Sequence, residues 1–484
     1  MREVLAVATL VRTQRSYIVE QTDNPNHWQE QLVVLSQDHD VVLLTGHRDQ
    51  LIALLLSPQT GILREWQLTG NLSGVPRPSD FGVGSSLAAE RILNDTVPSL
   101  SWNSEEHVER RVHGKGVFLY PLGPVRADVA ESLMYRLQVM GDEIIRLELL
   151  NGFKKRHIRE MAQGKAVTDG IALAQRVTGT SAFAHGLAYC LAVENALKID
   201  VNAEVMLTRM IMAELERSYS HLGDLAALSV STGLPVPQME YLHHKESILR
   251  LNFRLFGHRY LRDVLAIGGM RVPNSLFQDN VAMVGREIVE ILDDIHRIQD
   301  GLENTTSFLD RLHGAGTIPK ATIEFVRPVG PTGRSSGRVC DMRIIRPYLR
   351  YPETDLAPPL ESGADSYARF SVKAIELKHS LGILRRLIGG WNPGVLRSLA
   401  GLEGKSEIDD DVAVGVGIVE APRGLLVYRV MVNPRSLTID HLDMATPSAR
   451  NWYVVPPAMA NKNIMQDFPI IEASFNYTVA GWDG

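Results

Sequence analysis

The chain has 484 residues, a formal net charge of −6 and a pI near 6.2, with 45% hydrophobic and 22% charged residues. That length exceeds what one hydrophobic core supports, so two or more domains are expected. The acidic balance argues against nucleic acid or anionic lipid as the main partner, and no apolar run reaches the roughly 18–20 residues of a bilayer crossing.

The opening residues carry Arg12 and Arg15 close behind a short apolar patch, which reads as a first strand rather than a signal peptide. Cys190 and Cys340 form no C-x-x-C pair. A zinc site or cluster built on this chain's own sulfurs is therefore not expected, and a reducing cytoplasm suits two lone thiols.

Short apolar runs at Val4–Val11, Gln31–Leu35, Val41–Leu44 and Leu51–Leu56 predict a small α+β domain. Residues 70–90, rich in Gly, Ser and Pro, predict a linker, and an ordered pattern resumes over 97–114. Leu133–Val139 and Glu143–Leu149 flank Met140-Gly-Asp as a β-hairpin. Apolar residues at i, i+3, i+4 and i+7 then predict helices over Ser181–Ile199, Ala203–Ser231, Gln238–Leu255, Ser275–Leu302 and Ala364–Ile388, with Asn202 capping the second. Long helices in succession without alternating strands indicate a bundle. Val412–Val419 and Leu425–Val432 form a second hairpin around Glu420-Ala-Pro-Arg-Gly424. The fold class is α+β: a small N-terminal α/β domain over 1–115, then a mainly helical body over 116–484 with peripheral hairpins.

Several chemistry-bearing residues have plain structural readings. His243 and His244 diverge by about 100° on a helix, so they cannot share a metal and read as surface histidines. Glu407–Asp411 reads as a solvated acidic edge. Gly330-Pro-Thr-Gly-Arg-Ser-Ser-Gly337 lacks the G-K-[ST] ending of a P-loop and reads as a tight loop placing Arg334 near a buried site. No Gly-x-Gly-x-x-Gly follows a strand, so a self-contained NAD site is unsupported. His185 reads as a core histidine with Glu194 facing away from it.

A further set of motifs runs in order from residue 116 to the end: Gly123-Pro124 with Tyr135-Arg-Leu; Arg176-Val-Thr-Gly-Thr-Ser-Ala-Phe-Ala-His185; Glu194-Asn-Ala-Leu; Glu214-Leu-Glu-Arg217-Ser-Tyr-Ser220-His221-Leu222; Ile267-Gly-Gly-Met-Arg271; Arg334-Ser-Ser-Gly337 with Asp341-Met-Arg343; Glu420-Ala-Pro-Arg423-Gly424; and Ala473-Ser474 to Asp483. Together they resemble the [NiFe]-hydrogenase large subunits of formate-hydrogenlyase and energy-converting-hydrogenase type, and their relative, the 49-kDa subunit of respiratory complex I. Val97-Pro-Ser-Leu-Ser-Trp with Val108-Glu-Arg110 is similar to the end of the complex I 30-kDa subunit, in degenerate form.

The departures carry as much information. At the family's four metal-ligand cysteines stand Thr178, Ser181, Thr478 and Gly481. A hydroxyl does not hold thiolate-seeking nickel as a Cys sulfur does, so no metal, no cofactor on this chain and no hydrogenase activity are expected. Gly179 stands at complex I's quinone tyrosine, and Arg126 at one of its loop histidines, with no histidine in the turn Ala127–Glu131. The resemblance implies a cavity lined by Arg126, Thr178, Thr180, Ser181, His185, Arg334, Asp341, Arg343, Glu420, Arg423 and Thr478. Asp341 is expected to pair with Arg343 or Arg334, and Glu420 with Arg423.

Two readings follow. One is an oxidoreductase subunit of a membrane-bound energy-converting complex, forming the electron-acceptor cavity. The other is a redox-silent scaffold coupling an Fe–S subunit to an ion-translocating membrane arm. Either implies a small [4Fe-4S] subunit, a ferredoxin-like subunit, and antiporter-like and quinone-channel-type membrane subunits as partners. Either also implies a peripheral position on the cytoplasmic face of the membrane.

Overall fold

A computed structural model describes residues 7–9, 16–22, 40–47, 50–69, 112, 114–126, 131–271, 281–391 and 411–483. The expected Gln31–Leu35 run, the 70–90 linker, the Val97–Arg110 motif and most of Glu407–Asp411 lie outside these residues.

Strands β1 (Val7–Thr9), β2 (Ser16–Thr22), β3 (Asp40–His47), β4 (Gln50–Leu56) and β5 (Leu63–Thr69) form one sheet in the order β1-β2-β5-β4-β3. Its β2–β5 pair is parallel and the others are antiparallel. This sheet docks on the rest of the chain through Leu43, Leu54, Leu56 and Leu63, which pack with Val329, Met342, Ile418, Leu425 and Val427. A buried ion pair, Arg429 Nη2 to Glu65 Oε1 at 3.1 Å, crosses the same boundary.

The first hairpin of the second region has a third strand. β6 (Val117–Leu122) pairs antiparallel with β7 (Met134–Met140), which pairs with β8 (Glu143–Leu150). β6 leaves Phe118, Leu119 and Tyr120 exposed, so it lacks the in–out alternation by which a strand is recognised in sequence.

The body is built from α1 (Ala182–Ala196), α2 (Ala203–Ser231), α3 (Pro235–Phe256), α4 (Val281–Glu303) and α5 (Ser366–Ile388). Asn202 caps α2 by accepting Val205 N–H at 2.8 Å, and Asp365 caps α5 by accepting Ala368 N–H at 2.8 Å. Gly257, at φ 78°, ends α3 in the left-handed conformation that favours glycine.

α1 is buried on every side except at Asn195, so it is the central rod of the fold rather than an amphipathic surface helix. One face of it is a stripe of small residues, Ala188, Ala192 and Ala196. Against that stripe lies β9 (Ala413–Ala421), with Gly415 and Gly417 at the contact. A Cβ on Gly417 would sit 1.9 Å from Ala188 O, and one on Gly415 would sit 2.0 Å from Ala192 O. Only glycine admits this approach of strand to helix. β9 pairs with β10 (Gly424–Asn433), and β11 (Thr438–Ala445) completes a three-stranded sheet where a hairpin was expected. Among the described residues, no helix is long and apolar enough to cross a membrane.

Candidate functional site

The turn entering α1 places Thr178 and Ser181 side by side, with their hydroxyl oxygens 2.6 Å apart. Because Ser181 is engaged there, it does not cap α1. The exposed N–H groups of the first turn go instead to a carboxylate from α2: Phe183 N–H donates to Glu216 Oε1 at 2.7 Å and Ala184 N–H to Oε2 at 2.8 Å. Tyr219 OH donates to the same carboxylate at 3.1 Å. Burial pushes Glu216 up to about 7 despite these three bonds.

The far end of the chain returns to this turn. Thr478 Oγ1 donates to Ser448 Oγ at 3.1 Å, and Thr446 Oγ1 donates to Gly481 O. A Cβ on Gly481 would lie 2.6 Å from Thr478 Oγ1 and 3.2 Å from Thr178 Cγ2. Thr178, Ser181, Thr478 and Gly481, more than 290 residues apart in sequence at the extremes, therefore meet in one place.

This set does not fit a nickel–iron centre. Its oxygens bond one another or Ser448, and Gly481 contributes no side chain. The two thiols lie elsewhere in the core, pushed up to about 12 by burial. Among the described residues, no cluster of His, Cys, Asp or Glu is arranged to hold a metal ion.

Beside this turn opens a cavity of about 870 Å³, bordered by Gly179, Thr180 and Thr478 on one side and by Tyr219, Ser220 and Asp224 of α2 on another. Arg423 binds its wall together, donating to Thr180 Oγ1 at 2.9 Å, Asp224 Oδ1 at 3.2 Å and Asn476 O at 2.6 Å. Lys373 Nζ lies 2.8 Å from Asp224 Oδ2. Burial alone would raise the Asp224 carboxyl, but Lys373 and Arg423 outweigh it and hold the group below the usual range. Arg126 lines the opposite rim and pairs with Glu472 at 3.0 Å.

The remaining expected lining residues are not in this cavity. His185 is buried, with Nδ1 2.8 Å from Tyr428 OH, and burial lowers it to about 3, so it is a neutral core imidazole. Arg334, Asp341, Arg343 and Glu420 form a separate buried network. Arg334 lies 2.9 Å from Glu420, 2.8 Å from Glu376 and 3.4 Å from Asp341. Arg343 lies 2.7 Å from Asp341, 2.8 Å from Glu376 and 3.3 Å from Glu214.

Asp341 thus pairs with both arginines, while the expected Glu420–Arg423 pair does not form. β9 and β10 pair Glu420 with Leu425 across the turn, and the Glu420 carboxylate goes to Arg334 and Met342 N–H while Arg423 goes to the cavity. The Gly330–Gly337 segment is a short helix over Gly330–Arg334 with Arg334 fully buried, not a loop. His244 is likewise buried, 3.5 Å from Asp294, whereas His243 faces outward. Asp411, the described end of the acidic run, is exposed and 3.3 Å from Arg435.

The cavity and the network are connected by residues of the Glu214–Leu222 motif together with Asp224, Lys373 and Glu376, which were not singled out from sequence. Glu214, Arg217, His221 and Asp224 recur along one stripe of α2. Opposite them, α5 presents Lys373 and Glu376. His221 Nε2 lies 3.2 Å from Glu376 Oε2, and burial lowers the His221 pKa despite the pull of that carboxylate. Burial works to raise Glu376, but Arg334, His221 and Arg343 together hold it well below the usual carboxylate range. The signal was present: charges at i, i+3, i+7 and i+10 line one stripe of a long helix that is buried along most of its length, so they cannot all be solvated.

The profile described as "Respiratory-chain NADH dehydrogenase, 49 Kd subunit" matches residues 232–400. The carbon monoxide-induced hydrogenase of Rhodospirillum rubrum is 25% identical over 74% of this chain and 97% of its own length. A subunit of the NADH-quinone oxidoreductase of Chloroherpeton thalassium is 24% identical over 68% of this chain and 74% of its own. Formate hydrogenlyase subunit 5 of Escherichia coli strain K12 is 27% identical over 74% of this chain and 61% of its own. Among solved structures, a chain of the membrane-bound sulfane sulfur reductase, an archaeal respiratory membrane complex, superposes with a TM-score of 0.70 at 21% identity, covering 76% of this chain and 99% of that one. With motifs in order from Gly123 to Asp483 and this fold around them, the chain is similar in sequence and in fold to [NiFe]-hydrogenase large subunits and complex I 49-kDa subunits.

Proposed function

We propose that the chain is the large, cavity-bearing subunit of a membrane-bound energy-converting oxidoreductase complex related to formate hydrogenlyase and NADH:quinone oxidoreductase. It works there without a nickel–iron centre. In this reading a small partner subunit brings a [4Fe-4S] cluster to the cavity, and a ferredoxin-like subunit feeds that cluster. Antiporter-like and quinone-channel-type subunits lie beneath, so that the chain sits peripherally on the cytoplasmic face of the membrane. Residues 1–115 are read as a degenerate complex I 30-kDa-like domain, in keeping with the sheet docked through Glu65 and Arg429.

The observation that carries this reading is the cavity of about 870 Å³ bordered by Gly179, Thr180 and Thr478, next to the four positions that the hydrogenase resemblance aligns with metal ligands. The residues around it suit acceptor chemistry. Arg423 and Thr180 offer hydrogen-bond donors to a reduced acceptor, and Asp224 is the cavity-side end of a buried titratable series. From Asp224 that series continues through His221 to Glu376, which offers a route for protons consumed or released at the cavity.

One observation favours the redox-silent scaffold instead: Thr178 with Ser181, and Thr478 with Ser448, already satisfy one another, leaving no reactive group at the old metal positions.

Turnover of the intact complex separates the two. With the partner cluster reduced, quinones, sulfur species and protons are offered as acceptors. The enzymatic reading expects turnover with at least one of them, reduced at least tenfold by Asp224→Asn in a complex that still assembles. No turnover with any acceptor supports the scaffold.

A further inference from the structure

The carboxylates of the cavity are already committed. Glu131 Oε2 accepts Val479 N–H and Ala480 N–H, the latter at 2.9 Å. Glu472 is bound by Arg126 and by Tyr135 OH. Asp224 is shared by Lys373, Arg423 and Asn476. The cations are not in balance with them. Arg126, Lys245, Arg262 and Arg423 line the cavity against these three carboxylates, and Asp224 also serves Lys373 from behind the wall.

The two cations left over are Lys245 of α3 and Arg262, six residues past the end of that helix. Neither makes an ion pair or a side-chain hydrogen bond among the described residues, and Arg262 Nε is buried without an acceptor. Both flank the same stretch of α2. Gly223 makes room for the ammonium there, since a Cβ at that position would lie 3.1 Å from Lys245 Nζ. Tyr219, one turn earlier, lines the cavity and feels the charge of Arg262. Half-buried cations that make no direct ion pair are costly; Asp224 offsets the burial of Lys245 only in part and is already held by Lys373 and Arg423, so a cavity wall that keeps two such cations is built to receive negative charge.

We infer that Lys245 and Arg262 form an anion subsite in the cavity, which takes a small dianion such as an oxyanion or sulfur anion. This deepens the acceptor-cavity reading by naming the charge class of what enters. The lysine supplies a point charge and the guanidinium a planar donor pair. A neutral quinone headgroup has no use for either.

The test is calorimetric titration of thiosulfate into the full chain, with ionic strength held constant by potassium chloride. The expected result is saturable single-site binding, weakened about tenfold or more by Lys245→Gln and by Arg262→Gln, as for loss of a charge-assisted hydrogen bond. Lys245→Arg keeps the affinity within a fewfold of wild type, which separates loss of charge from loss of fold. Arg250→Gln, an exposed arginine on the same helix, leaves it unchanged. No saturable heat, or an affinity indifferent to both Gln substitutions, overturns the subsite, as does an equal loss in Arg250→Gln. The acceptor-cavity reading fails separately. A complex that turns over an acceptor while the chain ignores thiosulfate refutes only the subsite, and thiosulfate binding in a complex with no turnover refutes only the enzymatic reading.

Discussion

Thr178 Oγ1 and Ser181 Oγ lie 2.6 Å apart at the mouth of α1, bonded to each other. Gly481 closes the same corner from the other end of the chain, where a Cβ would press on Thr478 Oγ1 at 2.6 Å. Gly481→Ala is expected to destabilise the chain by about 1–3 kcal/mol through overpacking. Adding Thr478→Ser, which removes no hydroxyl, does not rescue it, whereas adding Thr478→Ala does so in part. Urea denaturation of the single and double variants measures this. Additive costs for Gly481→Ala and Thr478→Ala would mean that the two positions are not packed together.

The Arg334 network is expected to be structural and intolerant of half-removal. Arg334→Met leaves Glu420, Asp341 and Glu376 short of a cation in a buried site. The expected loss is about 3–5 kcal/mol. Arg350→Ala, which breaks an exposed pair with Glu353, is expected to cost less than about 1 kcal/mol. Equal midpoints for the two variants in thermal unfolding would refute the contrast.

The Glu216 carboxyl makes stability fall with rising pH. Its pKa is raised from the usual 4.5 to about 7 by burial. Between these values the folded chain keeps a proton that the unfolded chain has released, so the contribution is fully present below the unfolded value and is lost as pH rises through the folded one. The loss is on the order of 3 kcal/mol. Asp224 and Glu376 are held below the usual range, so their effect falls at lower pH and has the opposite sign. Glu216→Gln should flatten the slope between about pH 5 and about pH 7.5 in denaturant unfolding. A slope identical to wild type would show that Glu216 ionises normally.

Gly417→Val is expected to separate β9 from α1. The added Cβ meets Ala188 O at 1.9 Å, and both elements are central. The cost is about 3 kcal/mol or more, above the usual overpacking range because the clash is with backbone. Val416→Thr, one residue away and half-buried, should cost less than about 1.5 kcal/mol. A Gly417→Val chain as stable as Val416→Thr would contradict the close packing.

Much of the helical body is legible in the sequence. Ala203–Ser231 is bounded correctly because Asn202 is a cap and Thr232-Gly233 a stop. The hairpin strands around Met140 and around Glu420 stand within a residue or two of where alternation puts them. β11 escapes sequence reading because Asp440, His441 and Asp443 interrupt its apolar pattern, and β6 because its apolar side faces outward. The motif residues converge on one region, yet sequence order cannot divide them between a cavity and the ionic core behind it. His185 illustrates the limit: its motif is in register with the family, but its side chain turns to Tyr428. Lys373 and Glu376 do not stand out in sequence because their partners lie on other elements and only the fold joins them.

The most direct test of the central claim is the nickel content of the native complex, measured by inductively coupled plasma mass spectrometry after anaerobic purification. With hydroxyls and a glycine at the positions that the hydrogenase resemblance aligns with cysteine ligands, nickel should stay at background relative to the chain. A stoichiometric nickel, one per chain and resistant to dialysis, would contradict it.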